Sequence, residues 1–488
     1  MRCGVTPKAE PDPLSLVLVG STTTGDRSND EIPRQARDDT EGERDDAREH
    51  FQDHGRTHAP AASSRTRAWP VWATPLLFAC LALSLTLPRL TFPGEYVFDE
   101  LYYAHTAGHV AANDPGLYDT SVLPRDEPAI EWTHPPLAKL VITGGILVFG
   151  DQPFGWRIAS ALLGALGVAL AYLLGRDLSG SAVVGAVAAG LLLFDGLWFV
   201  ESRLGMSNIL YAVLANAALF AFARALAAPA PALGPLLATG LFLGLALATK
   251  WSAAALIGFV GLAIGWRVAI LWRTGQRENA NALARTAALA LIALPAAVYA
   301  ASWLHFFLVG NGLADLVALH RAMLAYHAGI GVPHPDSSPW WTWPLAAKPV
   351  WYYTAPRGTE GAFVIANGNP LLYWPMVPAV AWVAIDWWGR RPRALLVLAV
   401  GFAGQWLPWA LSPRGTFLYH FLPVVPLGCI ALAVVLVGLW SRARLGRFVA
   451  GAYAVAVVAA FAFFYPVLAA LPVTPEQLDL RLWFDSWR

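Results

Sequence analysis

From about residue 70 onward, long apolar runs alternate with short polar breaks. Runs of roughly 17 to 24 residues, enough to cross about 30 Å of hydrocarbon, fall near 70–90, 157–175, 181–199, 205–226, 233–249, 251–271, 285–305, 371–388, 394–411, 417–440 and 448–470. They predict an all-α polytopic membrane protein with about eleven transmembrane helices. The apolar stretch Leu137 to Gly150 is only about fourteen residues long and predicts an interfacial or re-entrant helix inside the first long loop. His134-Pro135-Pro136 marks its start, because proline fits the first turn of a helix and forbids extension upstream.

Residues 1–69 break the pattern: they are dense in Asp, Glu, Arg, Ser and Gly, with one short apolar patch at 14–19 that lacks the length and flanks of a signal peptide. The composition predicts a disordered, charged tail, or else a start site set too far upstream. No Met occurs between Met1 and Met206. His50, His54 and His58 repeat at a metal-like spacing, but in a solvated tail the spacing reads as incidental. The remainder, 70–488, is expected to form one transmembrane domain with outer loops 91–156 and 306–370.

Composition agrees with the hydropathy pattern: 56% of residues are hydrophobic, only 14% are charged, and 22 are Trp, the residue of membrane interfaces. A net charge of +1 offers no basic surface for nucleic acid. The three cysteines build no disulfide framework, since Cys3 lies in the tail while Cys80 and Cys429 sit in apolar runs.

Basic residues orient the spans, because Lys and Arg in short loops stay in the cytoplasm. The breaks at 272–285, 390–393 and 441–447 are the richest in Arg. Placing them inside puts the N-terminus inside and the C-terminus outside, provided Leu137 to Gly150 does not cross. The outer side then collects Asp99, Glu100, His134, Lys139, Arg157, Glu201, Arg203, Lys250 and Arg414. Cations that run against the positive-inside trend need a cause: an anionic ligand such as a lipid phosphate, or structural pairs such as Glu201 with Arg203 or Lys250.

Several strings give this set a sharper meaning. Phe98-Asp99-Glu100, Thr133-His134-Pro135-Pro136-Leu137-Ala138-Lys139, Gly155-Trp156-Arg157, Asp195-Gly196 to Ser202-Arg203, Thr249-Lys250-Trp251-Ser252, Tyr326-His327-Ala328-Gly329, His334 to Pro344, Gly368-Asn369-Pro370, Pro408-Trp409 to Arg414 and Phe417 to Pro423 resemble, in order, the dolichyl- or polyprenyl-phosphate-mannose protein O-mannosyltransferases of the GT-C class, glycosyltransferase family 39. The chain departs from that family at Ser207-Asn208, where many members carry an acidic residue, and its loop 306–370 is too short for the β-trefoil domain of eukaryotic relatives.

The resemblance implies a GT-C fold and transfer of mannose from a polyprenyl-phosphate donor to Ser or Thr hydroxyls of exported proteins, by an inverting single displacement. Asp99 is then the expected general base. Glu100 orients the acceptor or pairs with a cation such as Arg157. Arg157, Arg203, Lys250 and Arg414 are the candidates for the lipid phosphate, joined by His134, Lys139 and His327 as substrate contacts. His134 orients a carboxylate or caps its helix. Trp340 and Trp341, with Trp343, wall the acceptor site or anchor the loop at the lipid interface. No cofactor is required: His105 and His109 could join Asp99 or Glu100 around a divalent metal, but the resemblance calls for none.

The implied partners are the lipid-linked sugar donor, exported Ser/Thr-containing polypeptides, the secretion machinery as a candidate, and membrane lipids. The implied location is the inner or plasma membrane. Two other functions compete. A GT-C transferase could move a polyprenyl-linked sugar onto a glycolipid or lipid A, and a transporter would also carry membrane-level charges, though at the midplane rather than at one face.

Overall fold

The computed structural model describes residues 70, 72–118, 130–329 and 334–488. The charged tail, with His50, His54 and His58, lies outside the described residues. In chain order the elements are α1 (Ala73–Thr86), α2 (Glu100–Ala111), α3 (Leu137–Phe149), α4 (Pro153–Ser179), α5 (Ala182–Leu193), α6 (Gly196–Glu201), α7 (Asn208–Ala227), α8 (Leu233–Leu247), α9 (Ala253–Arg273), α10 (Arg277–Ala288), α11 (Leu294–Ser302), α12 (Leu304–Leu308), α13 (Leu313–Ala328), β1 (Val350–Arg357), β2 (Glu360–Ala366), α14 (Pro370–Trp387), α15 (Pro392–Trp406), α16 (Val425–Trp440), α17 (Arg444–Leu468), β3 (Pro472–Val473) and α18 (Pro475–Asp479).

Among the described residues seven stretches are long and apolar enough to cross a membrane: 153–179, 208–227, 253–273, 277–308, 392–411, 418–440 and 444–468. The apolar helices α1, α3, α5 and α8 are shorter. Local chemistry explains the breaks. Pro153 opens α4, Gly180 closes it at φ 69°, and the Ser181 hydroxyl accepts the Val184 N–H to start α5. Between α10 and α11 the chain forms a π turn at Leu289–Ala293, immediately before Pro295 removes a helical donor. There α8 comes very close: a Cβ added at Gly240 would lie 1.7 Å from the Ala290 carbonyl oxygen, so only glycine permits that approach.

The start of α3 and the start of α4 belong to one face of the bundle, since Lys139 and Arg157 both reach the segment around residues 99–131. Helix α3 is one unbroken helix of 13 residues, joined through residues 150–152 to the start of α4, against which it packs at Gly145 and Gly155. Its far end exposes Leu147 and Val148.

The stretch after α12, expected as the outer loop 306–370, carries the helix α13 and an antiparallel hairpin. β2 pairs with β1 on one side and, at Gly361 and Ala362, with β3 near the C-terminus on the other. The all-α expectation thus misses a small three-stranded sheet. Alternating residues lean to opposite faces of a strand, and β1 departs from that alternation where the register shifts between Trp351 and Tyr353. Tyr352 is the extra residue of this bulge.

Candidate active site

The connector from α1 to α2 carries Asp99 and has no regular structure of its own. Two buried arginines hold it. Arg203 donates from Nη1 to the carbonyls of Thr86 (2.5 Å) and Pro88 (2.7 Å) and from Nη2 to that of Arg89 (2.7 Å). Arg157, near the start of α4, donates from Nη1 to the carbonyls of Leu90 (3.1 Å) and Pro93 (2.6 Å) and from Nη2 to that of Glu95 (3.0 Å). Its Nε and Nη2 grip the Glu100 carboxylate at 2.8 and 2.6 Å. All five guanidinium donors of Arg157 therefore have partners within the protein.

Glu100 is fully buried and accepts two more bonds, from the N–H of Val97 (3.0 Å) and of Gly205 (2.7 Å). Residue 205 must be glycine, because a Cβ there would lie 2.6 Å from the Trp156 carbonyl oxygen. Of its two expected roles, Glu100 takes the pairing one. With every lone-pair direction occupied it is neither a second catalytic carboxylate nor an acceptor contact.

Asp99 contrasts with its neighbour. It sits half-buried at the N-terminal end of α2, and among the described residues its carboxylate makes no hydrogen bond. The turn that aims it is strained. Phe98 has φ 51°, a left-handed conformation that costs a residue with a Cβ roughly 1–2 kcal/mol. The Phe98 ring stacks on Tyr352 (centroids 4.3 Å, planes 12° apart) and meets Tyr419 edge-on at 6.2 Å, so the bulge in β1 places the ring that holds this turn. Burial raises the Asp99 pKa to about 6, against the opposing pull of Lys250 and with a further push from Glu131.

Three groups of side chains surround Asp99. In the first, Lys250, in the turn between α8 and α9, donates to Asn208 Oδ1. Asn208 Nδ2 donates to Glu201 Oε1 (3.0 Å), and the Tyr352 hydroxyl donates to the same oxygen (2.6 Å). Lys250 Nζ also lies 5.8 Å from the Tyr419 ring centre. Burial lowers the Lys250 pKa, while Glu201, Asp99 and Glu131 act to keep it charged.

Glu131 organises the second group. Its Oε2 accepts from Lys139 Nζ (2.6 Å), and its Oε1 accepts from the Thr133 N–H (3.0 Å) and hydroxyl (2.5 Å) and pairs with His134 Nδ1 (2.9 Å). Lys139 spends its other two donors on the carbonyls of Glu131 (2.9 Å) and His134 (2.8 Å). Burial acts to raise the Glu131 pKa, but Lys139 and His134 outweigh it and hold the carboxyl well below its ordinary range.

In the third group, His327 on α13 donates from Nε2 to the Thr133 carbonyl (2.7 Å), which leaves Nδ1 to accept from Arg414 Nη1 (3.3 Å). The Arg414 guanidinium lies 4.0 Å from the Tyr326 ring centre, and the rings of His134 and His327 meet edge-on at 5.2 Å.

The expected phosphate contacts thus divide. Arg157 and Lys139 are corrected, since all their donors are committed to carbonyls and carboxylates of the protein; Arg203 spends three of its five donors on the carbonyls of the connector. Among the described residues neither Lys250 nor Arg414 forms a carboxylate ion pair; Lys250 acts on Asp99 directly, and Arg414 is linked to it through Tyr419, which feels both charges. His134 and His327 join the Glu131 group at its edge. Trp340 packs on Trp406 (5.4 Å) and Trp341 is 59% exposed; among the described residues no ring contact ties either to Asp99. His109 pairs with Asp114 (2.7 Å), and no cluster of three His, Cys, Asp or Glu suited to a metal occurs among the described residues.

Sequence reasoning missed Glu131, Tyr352 and the bridging role of Asn208. Glu131-x-x-His134 ahead of a buried lysine was the available signal for the first. A residue unpaired in a strand register leaves no signal for the second.

The helical bundle with a carboxylate-bearing loop on one face is that of a GT-C membrane glycosyltransferase. Against the solved S. cerevisiae protein O-mannosyltransferase Pmt1-Pmt2 complex bound to the sugar donor, the TM-score is 0.71 over 85% of this chain and 93% of that one, at 16% identity. ArnT from Cupriavidus metallidurans bound to undecaprenyl phosphate gives 0.54 over 82% of this chain and 75% of that one, at 20% identity. The chain belongs to the protein O-mannosyltransferase family. Residues 135–309 match the family described as dolichyl-phosphate-mannose-protein mannosyltransferase, and 312–487 match the C-terminal four TMM region of protein-O-mannosyltransferase. It is 30% identical to the polyprenol-phosphate-mannose--protein mannosyltransferase of Mycobacterium tuberculosis, over 87% of this chain and 92% of that protein. The protein of the same name from Corynebacterium glutamicum is 28% identical over 86% and 93%.

Proposed function

We propose that the protein transfers mannose from a polyprenyl-phosphate donor to Ser or Thr hydroxyls of exported polypeptides, with Asp99 as general base. Family membership supports the reaction class. The observation that carries the assignment of the base is the contrast within the acidic pair: Glu100 is saturated, whereas Asp99 follows a strained turn, beside Lys250, with its own oxygens unengaged among the described residues. In the transfer the acceptor oxygen attacks the anomeric carbon, its proton passes to Asp99, and the bond from that carbon to the phosphate oxygen breaks with its electron pair leaving on the phosphate. Lys250 and Arg414 are the cations placed to meet that charge. No metal enters the reading.

The active site faces away from the cytoplasm in the inner or plasma membrane. The support is connectivity: α9, α14 and α16 start near the site-bearing face and end at Arg273, Trp387 and Trp440, beside the basic turns 273–277, 388–393 and 441–447. Delivery of acceptors by the secretion machinery follows from such a placement.

The test is incubation of the purified protein in vesicles with radiolabelled polyprenyl-phosphate-mannose and a Ser/Thr peptide. Label in the peptide supports the proposal; label confined to lipid selects the glycolipid alternative instead. The base must be ionised to act, so kcat/KM is expected to rise with pH through a limb near 6, above the ordinary aspartate range. A profile flat from pH 5 to 8 would remove Asp99 from the role.

A further inference from the structure

One buried carboxylate has no task in this scheme. Glu201 ends α6 with 0% exposure, and among the described residues it forms no ion pair and its Oε2 has no hydrogen-bond partner. Oε1 accepts two bonds, and each leads to the reacting centre by a different route. One runs through the Asn208 amide, which is 4% exposed, to Lys250. The other runs through the Tyr352 hydroxyl to the ring that stacks on Phe98, the residue before Asp99. An amide lying between an ammonium and a carboxylate has one favourable orientation, with oxygen toward the cation and NH₂ toward the anion. Glu201 and Asp99 therefore compete for a single ammonium, and the bridge holds it on the Glu201 side. No Asp99–Lys250 ion pair forms among the described residues, although Lys250 is the influence that opposes burial in setting the Asp99 pKa.

We infer that Glu201 is a positioning residue for the transfer: through Asn208 it holds Lys250 beside Asp99 but short of an ion pair with it, and through Tyr352 it braces the turn that aims the base. The inference rests on Asp99 being that base. A direct ion pair with Lys250 would weaken Asp99 as a proton acceptor and take from Lys250 the charge that a departing phosphate needs. The groups facing Asp99 are Lys250 from the α8–α9 turn, Glu131 from the segment before α3, Glu201 from α6, Tyr102 and Tyr103 from α2, Tyr352 from β1, and Tyr419 before α16. Lys250 is the cation among them, so releasing it toward Asp99 has a predictable sign.

The experiment compares full-length wild type, Glu201→Gln, Glu201→Gln/Asn208→Asp, Asn208→Ala and Asp99→Asn in vesicles, with polyprenyl-phosphate-mannose and a Ser/Thr peptide, across pH. Burial raises the Glu201 pKa to about 7, so its hold on Lys250 is complete above that pH; there Glu201→Gln is expected to lower kcat roughly tenfold, and the acid limb of kcat/KM is expected to move down. Adding Asn208→Asp puts a carboxylate directly on Lys250, and is expected to return the limb to the wild-type position and restore most of kcat. A role in folding alone would lower the yield of folded protein without moving the limb.

Should Glu201→Gln not fold, Asn208→Ala cuts the bridge with Glu201 in place, and the same downward move is expected. An unmoved limb in a folded single variant, or a double variant that folds but recovers nothing, overturns the positioning role while leaving the base assignment intact. A near-wild-type rate for Asp99→Asn overturns the base assignment, and the inference with it.

Discussion

Asp99→Asn is expected to lower mannosyl transfer by roughly 10²–10⁴-fold, the range over which a positioned general base acts, with the fold intact. Asparagine matches the shape of aspartate, and the carboxylate it replaces makes no hydrogen bond among the described residues. The substitution also removes a buried charge that burial already disfavours, since the Asp99 pKa is pushed up to about 6. Thermal stability should therefore hold or rise while kcat collapses. Turnover in vesicles and the unfolding midpoint, measured on the same preparation, check both halves. A folded variant that turns over near the wild-type rate means the hydroxyl proton goes elsewhere.

Glu100→Ala should have the opposite signature, with the protein itself lost. It strips two charge-assisted bonds from Arg157 and orphans the N–H groups of Val97 and Gly205, all in a site without exposure. Breaking a buried ion pair by removing one partner costs about 3–5 kcal/mol, a large share of the 5–15 kcal/mol that a typical folded protein has in hand. Glu100→Gln keeps an acceptor oxygen and should be milder. Size-exclusion behaviour in detergent and the unfolding temperature report the effect. An Ala variant that purifies normally with an unchanged Tm would show that the connector is held by something other than this pair.

The sequence made the membrane class, the two long loops and the special standing of residues 99 and 100 legible, because hydropathy and charge placement report directly on what a bilayer tolerates. It did not show what each charge touches. Arg203 and Arg157 read as phosphate ligands because unpaired cations at a membrane surface call for anions; their partners are carbonyl oxygens of an irregular connector, which no side-chain pattern announces. Tyr352 was hidden for a related reason. Its direction depends on a bulge in a strand, inside a loop that hydropathy leaves featureless. Asn208 stood out only as a missing acid, and its two-ended amide acquires meaning once Glu201 and Lys250 are seen on either side.

Six carbonyls between Thr86 and Glu95 are fastened to two guanidinium groups that come from distant parts of the chain. Surface loops usually absorb insertions and deletions with little penalty. Here a single added or deleted residue would throw every carbonyl past the fork it meets, so this segment should keep a fixed length among working homologues even where its side chains drift.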